Sequence, residues 1–362
     1  MKVLAVVPSL YDTSPGQRFR LEQWEPILKQ YGVEITWAPF ETDELRQVLY
    51  RPGQAASKVR AVLSNMSRRR AELASVKDYD LVYLFREAAL LGPPWFERKI
   101  ARSGIPIVFD FDDAVFLAYR SPSNGYLSYL KFPQKTGEIC RLSAHVMAGN
   151  RYLADYAGRF NPNVTIVPTT IDTLKYRQVA KPEPETLTIG WSGSHSTVQH
   201  LDTIRNVLQE LARDERFKLR VIGATDYRLD GVDVDVVRWR SETEVADLGP
   251  IDIGIMPLPD DQWSMGKCGL KALQYMSIGI PTICSPVGVN TTIITDGVNG
   301  FIAGDKDEWI AKLKLLLHSP ELRHKIGKAG SATVEKEYSA ATQAPRVLRI
   351  FEAVAKAPVK QQ

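Results

Sequence analysis

The feature that most constrains this 362-residue chain is the alternation of short apolar, β-branched runs with longer amphipathic runs. Strand candidates before residue 172 are the runs 2–7, 33–38, 81–85, 105–110, 145–148 and 164–167. A second series follows at 187–191, 219–222, 234–237, 251–256, 282–285 and 300–302. The alternation predicts βα units in parallel sheets, because parallel strands need a long, usually helical, crossover between them.

The strand series is interrupted once, by a stretch that contains prolines and several charges but no strand-like run. We therefore predict two domains, over residues 1–172 and 187–340, joined by a linker over 173–186. The helical pattern near the end predicts that 341–362 forms a helix that returns toward the first domain. The predicted fold class is α/β, with two Rossmann-like parallel-sheet domains facing a central cleft.

Composition excludes several classes of protein. With 44% hydrophobic and 24% charged residues, the chain is neither disordered nor a multispan membrane protein. No apolar run reaches the roughly 18 residues of a spanning helix, and the first apolar run stops at Pro8 without a signal-peptide pattern. The three cysteines have neither metal-site nor disulfide spacing. These features predict a cytoplasmic protein.

The excess positive charge of the chain, +4 overall, lies in its first half. Between residues 46 and 70 no acidic residue accompanies the cations Arg46, Arg51, Lys58, Arg60, Arg68, Arg69 and Arg70. This basic amphipathic stretch predicts either a solvated helix face or peripheral docking on an anionic membrane at its inner face. Nucleic acid is not a predicted partner, because no aromatic residues are interleaved with the cations.

In parallel sheets ligands bind at the carboxyl ends of strands, so the residues that follow each strand are the informative ones. After the first strand, PSLYDTSPGQRFR places Gly16 before a predicted helix that carries Arg18 and Arg20. The glycine allows the backbone to approach an anion, and the arginines can form forked bonds to phosphate or carboxylate. The alternative is a plain βα turn with surface arginines.

The segment VFDFDDAVF delivers Asp110, Asp112 and Asp113 at the end of a predicted buried strand. Buried carboxylates must be paired, bound to metal, or used as acceptors and bases. Asp112 and Asp113 are therefore candidate catalytic residues. Asp110-x-Asp112 also matches the short D-x-D pattern of metal-dependent transferases, which occurs often by chance.

In the second half, IGWSGSHST places Gly193 and Ser194 in a turn after a strand, where small residues and spare donors suit a phosphate or sugar oxygen. His195 in that turn is either a titratable group or a cap.

Farther along, GKCGLKALQ places Lys267 and Lys271 around a predicted helix start at Cys268 and Gly269. Backbone N–H groups, the helix dipole and two cations then converge, which predicts a pyrophosphate site. On this interpretation Gln274 faces the ribose. The alternative is a capped helix with solvated lysines.

Together with IPTICSPVGVN and DGVNGFI, this segment resembles the carboxyl-terminal signature of GT-B retaining glycosyltransferases, most closely family 4 of group 1. The chain departs from that signature, because Gly266 and Gln274 stand where the family has two glutamates. The resemblance implies that an amide at Gln274 replaces one of them in accepting ribose hydroxyls.

The resemblance implies transfer of a sugar from a nucleotide diphosphate sugar, of UDP or GDP type, to a saccharide or lipid-linked acceptor in envelope or exopolysaccharide synthesis. Lys267, Lys271 and the helix start would stabilise the leaving diphosphate, and Asp112 or Asp113 would orient the acceptor. No cofactor and no obligatory metal are expected. The alternatives are a metal-dependent D-x-D transferase, a nucleotide-sugar epimerase and a non-catalytic nucleotide-sugar binding protein.

Overall fold

The computed structural model describes residues 1–49, 55–118, 132–178 and 183–357. The chain divides into two compact units, Met1–Pro168 with Gln343–Gln362, and Thr169–Thr342. The first unit thus ends at Pro168, where the sequence suggested 172, and residues from Gln343 group with it. Arg51, residues 179–182 of the predicted linker and the last five residues of the predicted final helix lie outside the described residues.

The first unit is built on a six-stranded parallel sheet in the order β2-β1-β3-β4-β5-β6. Its strands are β1 Lys2–Val7, β2 Glu34–Pro39, β3 Leu81–Phe85, β4 Ile107–Phe111, β5 His145–Ala148 and β6 Val164–Ile166. Its helices are α1 Pro15–Gln17, α2 Gln23–Gln30, α3 Asp43–Leu49, α4 Ala55–Glu72, α5 Trp95–Arg102, α6 Lys135–Leu142 and α7 Arg151–Gly158. A 3₁₀ helix spans Leu73–Asp78 and a π-helical turn spans Arg18–Glu22.

The second unit has its own six-stranded parallel sheet, in the order β12-β11-β10-β7-β8-β9. Its strands are β7 Leu187–Ser192, β8 Phe217–Ile222, β9 Asp233–Val237, β10 Ile253–Met256, β11 Thr282–Cys284 and β12 Phe301–Ile302. Its helices are α8 Arg205–Asp214, α9 Glu244–Leu248, α10 Gln262–Met265, α11 Leu270–Ser277, α12 Asn290–Ile293, α13 Lys306–His318 and α14 Pro320–Thr333. A 3₁₀ helix spans Val198–Ile204 and a π-helical turn spans Val334–Tyr338. The last helix, α15 Ala340–Lys356, belongs to the first unit from Gln343 on.

The sequence pattern follows from the burial of these sheets. Every residue of β3 and β4 is buried, as expected for parallel strands covered on both faces. Each strand that the sequence predicts is present, with ends that differ by at most two residues. The predicted α/β class with two Rossmann-like sheets is therefore confirmed. Among the described residues, none of the helices is both long and apolar enough to span a bilayer.

One predicted helix is wrong in detail. The helix expected to carry Arg18 and Arg20 is broken, since Arg20 has φ −128° and ψ −112°, outside the helical region. The break turns the Arg20 side chain into the interior, where it is fully buried.

Candidate functional site

A buried ion pair lies at the carboxyl end of β4 in the first unit. Arg20 donates from Nε and Nη2 to the two oxygens of Asp110, each at 2.6 Å, and from Nη1 to the Val167 carbonyl at 2.8 Å. The Tyr83 hydroxyl also donates to Asp110, and burial together with the Asp110 charge raises the Tyr83 pKa. The prediction that Arg20 binds a ligand phosphate is therefore wrong, because its donors are used inside the unit.

This pair also explains part of the acidic cluster. Both oxygens of Asp110 are engaged by Arg20, which leaves it unsuited to serve as one half of a D-x-D metal site. Among the residues that the structure describes, no group of three or more His, Cys, Asp or Glu side chains is arranged to hold a metal ion.

Asp112 and Asp113 meet an arginine that sequence reasoning missed. Arg86, directly after β3, donates from Nε to Asp112 Oδ1 at 2.8 Å, and its Nη2 lies 3.9 Å from Asp113 Oδ2. Arg86 has φ +58°, an unusual conformation for a residue with a side chain, and its N–H donates to the Asp110 carbonyl at 2.8 Å. The available signal was its place after a predicted buried strand, the same criterion that selected the aspartates.

Gly16 packs against this ion pair. A Cβ at Gly16 would lie 2.7 Å from Asp112 Oδ2 and 2.8 Å from Arg86 Nη2. The glycine thus does bring the main chain close to a carboxylate and a guanidinium, but both belong to the protein itself. Gly16, Arg86, Asp112 and Asp113 form one polar cluster, which we call the β4 cluster.

The π-helical turn Arg18–Glu22 ends in a second buried acid, Glu22. Glu22 accepts hydrogen bonds from Gln17 Nε2 at 2.7 Å and from the Asp12 N–H at 3.0 Å. Burial raises the pKa of Glu22 to about 7.

Arg18, like Arg20, is directed into the first unit rather than to its surface. It is buried, and its Nε donates to Asp12 Oδ1 at 2.7 Å.

The basic stretch of residues 46–70 is divided between interior and surface. Arg69 is buried and donates to the carbonyls of Val7 at 3.2 Å and Ala38 at 2.7 Å, and Arg68 donates to the Phe40 carbonyl at 2.9 Å. These two cations therefore stabilise the fold, so neither predicted role, a solvated helix face or membrane docking, applies to the whole stretch. The outer face of α4 instead exposes the apolar and basic side chains of Val59, Arg60, Leu63 and Arg70.

In the second unit, the turn after β7 is shaped by Gly193. A Cβ there would lie 2.2 Å from the Trp191 ring, so only glycine allows the turn to close over this buried indole. Ser194 is exposed. Its N–H donates a hydrogen bond to Thr197 Oγ1 at 3.0 Å, and its hydroxyl forms a hydrogen bond with the Ser196 hydroxyl at 2.8 Å. His195 extends outward to Asp226 at 3.0 Å. The turn leads into a 3₁₀ helix rather than directly into an α-helix.

Two lysines flank the start of α11, and each lies over an indole ring. Lys267 Nζ is 5.1 Å from the centroid of Trp263, and Lys271 Nζ is 5.1 Å from that of Trp191. These cation–π contacts hold both ammonium groups in place. Because the first N–H groups of a helix have no partner within it, the start of α11 also offers backbone donors in this segment.

The helix start itself depends on Gly269, which adopts φ +73° as the N-terminal capping residue of α11. The preceding turn is fixed by Asp261, which accepts the Ser264 N–H at 2.7 Å, and by the Lys267 N–H, which donates to the Ser264 carbonyl at 3.0 Å. Cys268 is buried, with its thiol against the Gly266 carbonyl, so it contributes backbone rather than side chain to the surface.

Gln274 lies in a buried network around a carboxylate that sequence reasoning also missed. Its Nε2 donates to Glu244 Oε1 at 3.1 Å, and the same oxygen accepts the Trp239 indole N–H at 3.0 Å. The Tyr176 hydroxyl donates to the other oxygen. The amide nitrogen thus faces Glu244, and the chain supplies a carboxylate beside Gln274 from α9 rather than from α11.

Unpartnered buried polar atoms collect near the two lysines. Among the described residues, Trp191 Nε1, His200 Nδ1 and Ser264 Oγ are buried without a hydrogen-bond partner. Such orphaned atoms are uncommon and costly in folded proteins, and a bound water, ion or ligand is the usual explanation. We call these residues, with Lys267, Lys271 and the start of α11, the α11 site.

Comparison with known protein families gives a match that includes Lys267, Lys271 and the start of α11. Residues 251–333 match the family model described as glycosyl transferases group 1. Over 97 residues the chain is 35% identical to sulfoquinovosyl transferase SQD2 of Arabidopsis thaliana. That match covers 25% of this chain and only 18% of the relative.

Solved structures match nearly the whole chain. Sucrose-phosphate synthase from Thermosynechococcus elongatus superposes with a TM-score of 0.72 at 14% identity, covering 98% of this chain and 99% of that one. The Anabaena protein HepE, solved in complex with UDP-glucose, gives a TM-score of 0.67 at 12% identity, covering 98% and 100%. At such identities the likeness is one of fold. The chain therefore has the GT-B fold of these glycosyltransferases, and its residues 251–333 match the model of the group 1 glycosyl transferases.

Proposed function

We propose that this protein is a glycosyltransferase that takes a sugar from a nucleoside diphosphate sugar bound at the α11 site. The observation that carries the proposal is the convergence of Lys267 and Lys271, each held over an indole ring, on the start of α11. This convergence lies inside the segment that matches the group 1 family.

The chemistry requires stabilisation of a leaving group. When the bond between the anomeric carbon and the diphosphate breaks, negative charge develops on the diphosphate oxygens. Two preplaced ammonium groups and the positive end of α11 oppose that charge without reorganising, which is the most effective form of electrostatic catalysis. The protein's own cations therefore supply what a metal ion supplies in other transferases.

For the acceptor we assign a role to the β4 cluster. Arg86 holds Asp112 in one orientation and adds positive charge next to Asp113. An aspartate held in this way can accept a hydrogen bond from an acceptor hydroxyl, or oppose positive charge on the sugar ring. Asp112 and Asp113 are thus our catalytic candidates in the first unit, with Arg86 as their positioning residue.

The finer assignments rest on resemblance. The family signature supports transfer with retention of anomeric configuration, and the UDP-glucose in HepE supports a UDP-type donor, with GDP as the other choice. The exposed Val59 and Leu63 on α4, next to Arg60 and Arg70, support a lipid-linked acceptor or a saccharide acceptor near an anionic membrane surface. Such a protein would act in envelope or exopolysaccharide synthesis, at the inner face of the membrane.

The test is calorimetric titration of UDP, GDP, ADP and their sugar conjugates into the protein and into Lys267→Ala, each with and without chelator. We expect one nucleotide to bind in the micromolar range, unaffected by chelator and at least 10-fold more weakly in the variant. Lys314→Ala is the matched control, because Lys314 pairs with Asp214 on an exposed surface of the same unit.

Each alternative gives a different result. Binding that requires a divalent ion and survives Lys267→Ala would indicate the D-x-D transferase. A donor that is converted to another sugar without an acceptor would indicate the epimerase. Tight binding with no turnover, over a panel of saccharide and lipid-linked acceptors, would indicate a binding protein, as the glycine at 266 allows.

A further inference from the structure

Glu244 is a buried acid of the second unit that has no part in the mechanism proposed above. It begins α9 and is 4% exposed. Its Oε1 accepts hydrogen bonds from Gln274 Nε2 at 3.1 Å and from the Trp239 indole N–H at 3.0 Å, and its Oε2 accepts one from the Tyr176 hydroxyl. Because a carboxylate only accepts hydrogen bonds, the nitrogen of the Gln274 amide must point toward it.

The other end of the Gln274 amide is an acceptor. The residue is 2% exposed, and among the described residues its side chain forms one hydrogen bond, from Nε2 to Glu244. Its Oε1 thus has no hydrogen-bond partner in this part of the chain. This oxygen is not one of the fully enclosed atoms that lack a partner, so it retains some accessible surface. Glu244 therefore leaves the acceptor end of the amide available to a ligand.

Contacts within the second unit join this amide to the lysines of the α11 site. Gln274 and Lys271 lie three positions apart on α11, so their side chains are neighbours on one face of the helix. Lys271 Nζ lies 5.1 Å from the centroid of the Trp191 ring. The turn at Gly193 closes over the same ring, since a Cβ there would lie 2.2 Å from it.

The turns after β8 and β9 complete a ring of contacts. A Cβ at Gly223 would lie 1.9 Å from the Gly193 carbonyl oxygen and 3.6 Å from Trp239 Cβ. Trp239 in turn donates to Glu244, the partner of Gln274. Gln274 and Lys271 are thus adjacent members of one ring, so a group attached to a diphosphate at Lys271 lies beside the Gln274 amide.

We propose that Glu244 is a positioning residue, which holds the Gln274 amide so that Oε1 accepts a hydrogen bond from the ribose of the bound nucleotide. Ribose is the group that every ribonucleotide attaches to its phosphates, and its hydroxyls can donate. This inference rests on the proposed function, since it requires a nucleotide at the α11 site. A nucleotide without ribose hydroxyls leaves Oε1 without a donor, so the site selects against it.

The experiment measures a ribose preference by calorimetry. UDP, GDP and ADP are titrated first, and then the 2′,3′-dideoxy counterpart of whichever binds. We expect the wild type to bind the dideoxy nucleotide at least about 5-fold more weakly. Gln274→Met should lower this preference several-fold, because it removes the acceptor. Glu244→Met should lower it to a similar value, because the amide is then no longer held in one orientation.

Two variants of the same network serve as matched controls. Glu244→Gln still offers an oxygen to the Trp239 N–H and to Gln274, so the preference should persist. Trp239→Phe removes a different donor from the same oxygen and should also keep the preference. A merely structural role for the network would instead lower the preference in Trp239→Phe as it does in Glu244→Met.

A double variant tests whether Glu244 acts through Gln274. Once Gln274→Met has removed the amide, adding Glu244→Met should not change the preference further. Should Glu244→Met fail to fold, Glu244→Asp withdraws the carboxylate by one methylene group and should lower the preference in its place.

The remaining outcomes separate the two proposals. A nucleotide that binds without a ribose preference, a preference that persists in Glu244→Met or Glu244→Asp, or one that is lost in either control overturns the role of Glu244. Each of these results leaves the glycosyltransferase intact, because the nucleotide still binds. If none of the three nucleotides binds the wild type, both proposals fail together.

Discussion

Replacing Gly269 tests the geometry on which the α11 site depends. Its φ of +73° costs an alanine about 1–2 kcal/mol. A Cβ there would also lie 2.2 Å from Ile293 Cδ1 and 3.3 Å from Val289 Cγ1, in a buried region where overpacking costs about 1–3 kcal/mol. Gly269→Ala should therefore lower the free energy of unfolding of the second unit by about 2–5 kcal/mol.

Two further variants separate the backbone term from the steric term. Gly231 has φ +78° but nothing within 4 Å of its would-be Cβ, so Gly231→Ala should lose only the backbone term of about 1–2 kcal/mol. Ile293→Val removes the Cδ1 atom that clashes, at its own cost of about 0.5–1.5 kcal/mol. The double variant Gly269→Ala with Ile293→Val should then recover about 1–3 kcal/mol relative to the sum of the single variants.

Urea unfolding followed by circular dichroism, fitted with a separate transition for each unit, measures these differences. Equal losses for Gly269→Ala and Gly231→Ala, or additive losses in the double variant, would refute the steric argument. We also expect Gly269→Ala to weaken nucleotide-sugar binding, because the alanine shifts the N–H groups at the start of α11, whereas Gly231→Ala should leave binding unchanged.

Three further predictions concern the first unit. Asp110→Asn leaves the buried Arg20 without its counter-charge and should cost about 3–5 kcal/mol of unfolding free energy in urea; a loss below about 1 kcal/mol would contradict the ion pair. Because the pKa of Glu22 is raised to about 7, its contribution to stability is greatest below the unfolded value of 4.5 and is lost as pH rises toward 7. The loss should be about 2–3 kcal/mol and disappear in Glu22→Gln, and an unchanged pH slope in that variant would exclude Glu22 as its source. Serine at Val59 and Leu63 should reduce cosedimentation with anionic vesicles several-fold, and unchanged binding would remove α4 as a membrane contact.

The sheets were predictable because burial on both faces makes a parallel strand a nearly continuous apolar run. The runs 81–85 and 145–148 correspond residue for residue to β3 and β5. The helix start flanked by Lys267 and Lys271 was predictable for a related reason. The signals that begin a helix lie within a few consecutive residues of the sequence. The structure begins α11 directly after Gly269, with Lys267 before and Lys271 after that start. Pyrophosphate binding by these residues stays a prediction.

The partners of charged side chains were not predictable in this way. Arg20 and Asp110 are 90 positions apart, and Arg69 reaches the Val7 carbonyl over 62 positions. From its neighbours in the sequence alone, each of these arginines is expected at the surface. Contacts with distant segments of the folded unit bury both of them. The same holds for Arg86 and Glu244, whose partners come from other elements.

By itself, therefore, the sequence determined the α/β class, the strands and the helix start that forms the candidate anion site, because each is specified by neighbouring residues. The tertiary structure alone decided which cations are buried and paired within the fold, as Arg20 and Arg69 are. The physical reason is that the burial and pairing of a side chain depend on contacts between segments far apart in the sequence. A charged side chain that exchanges its hydration for a protein partner stabilises the fold instead of remaining available to a ligand.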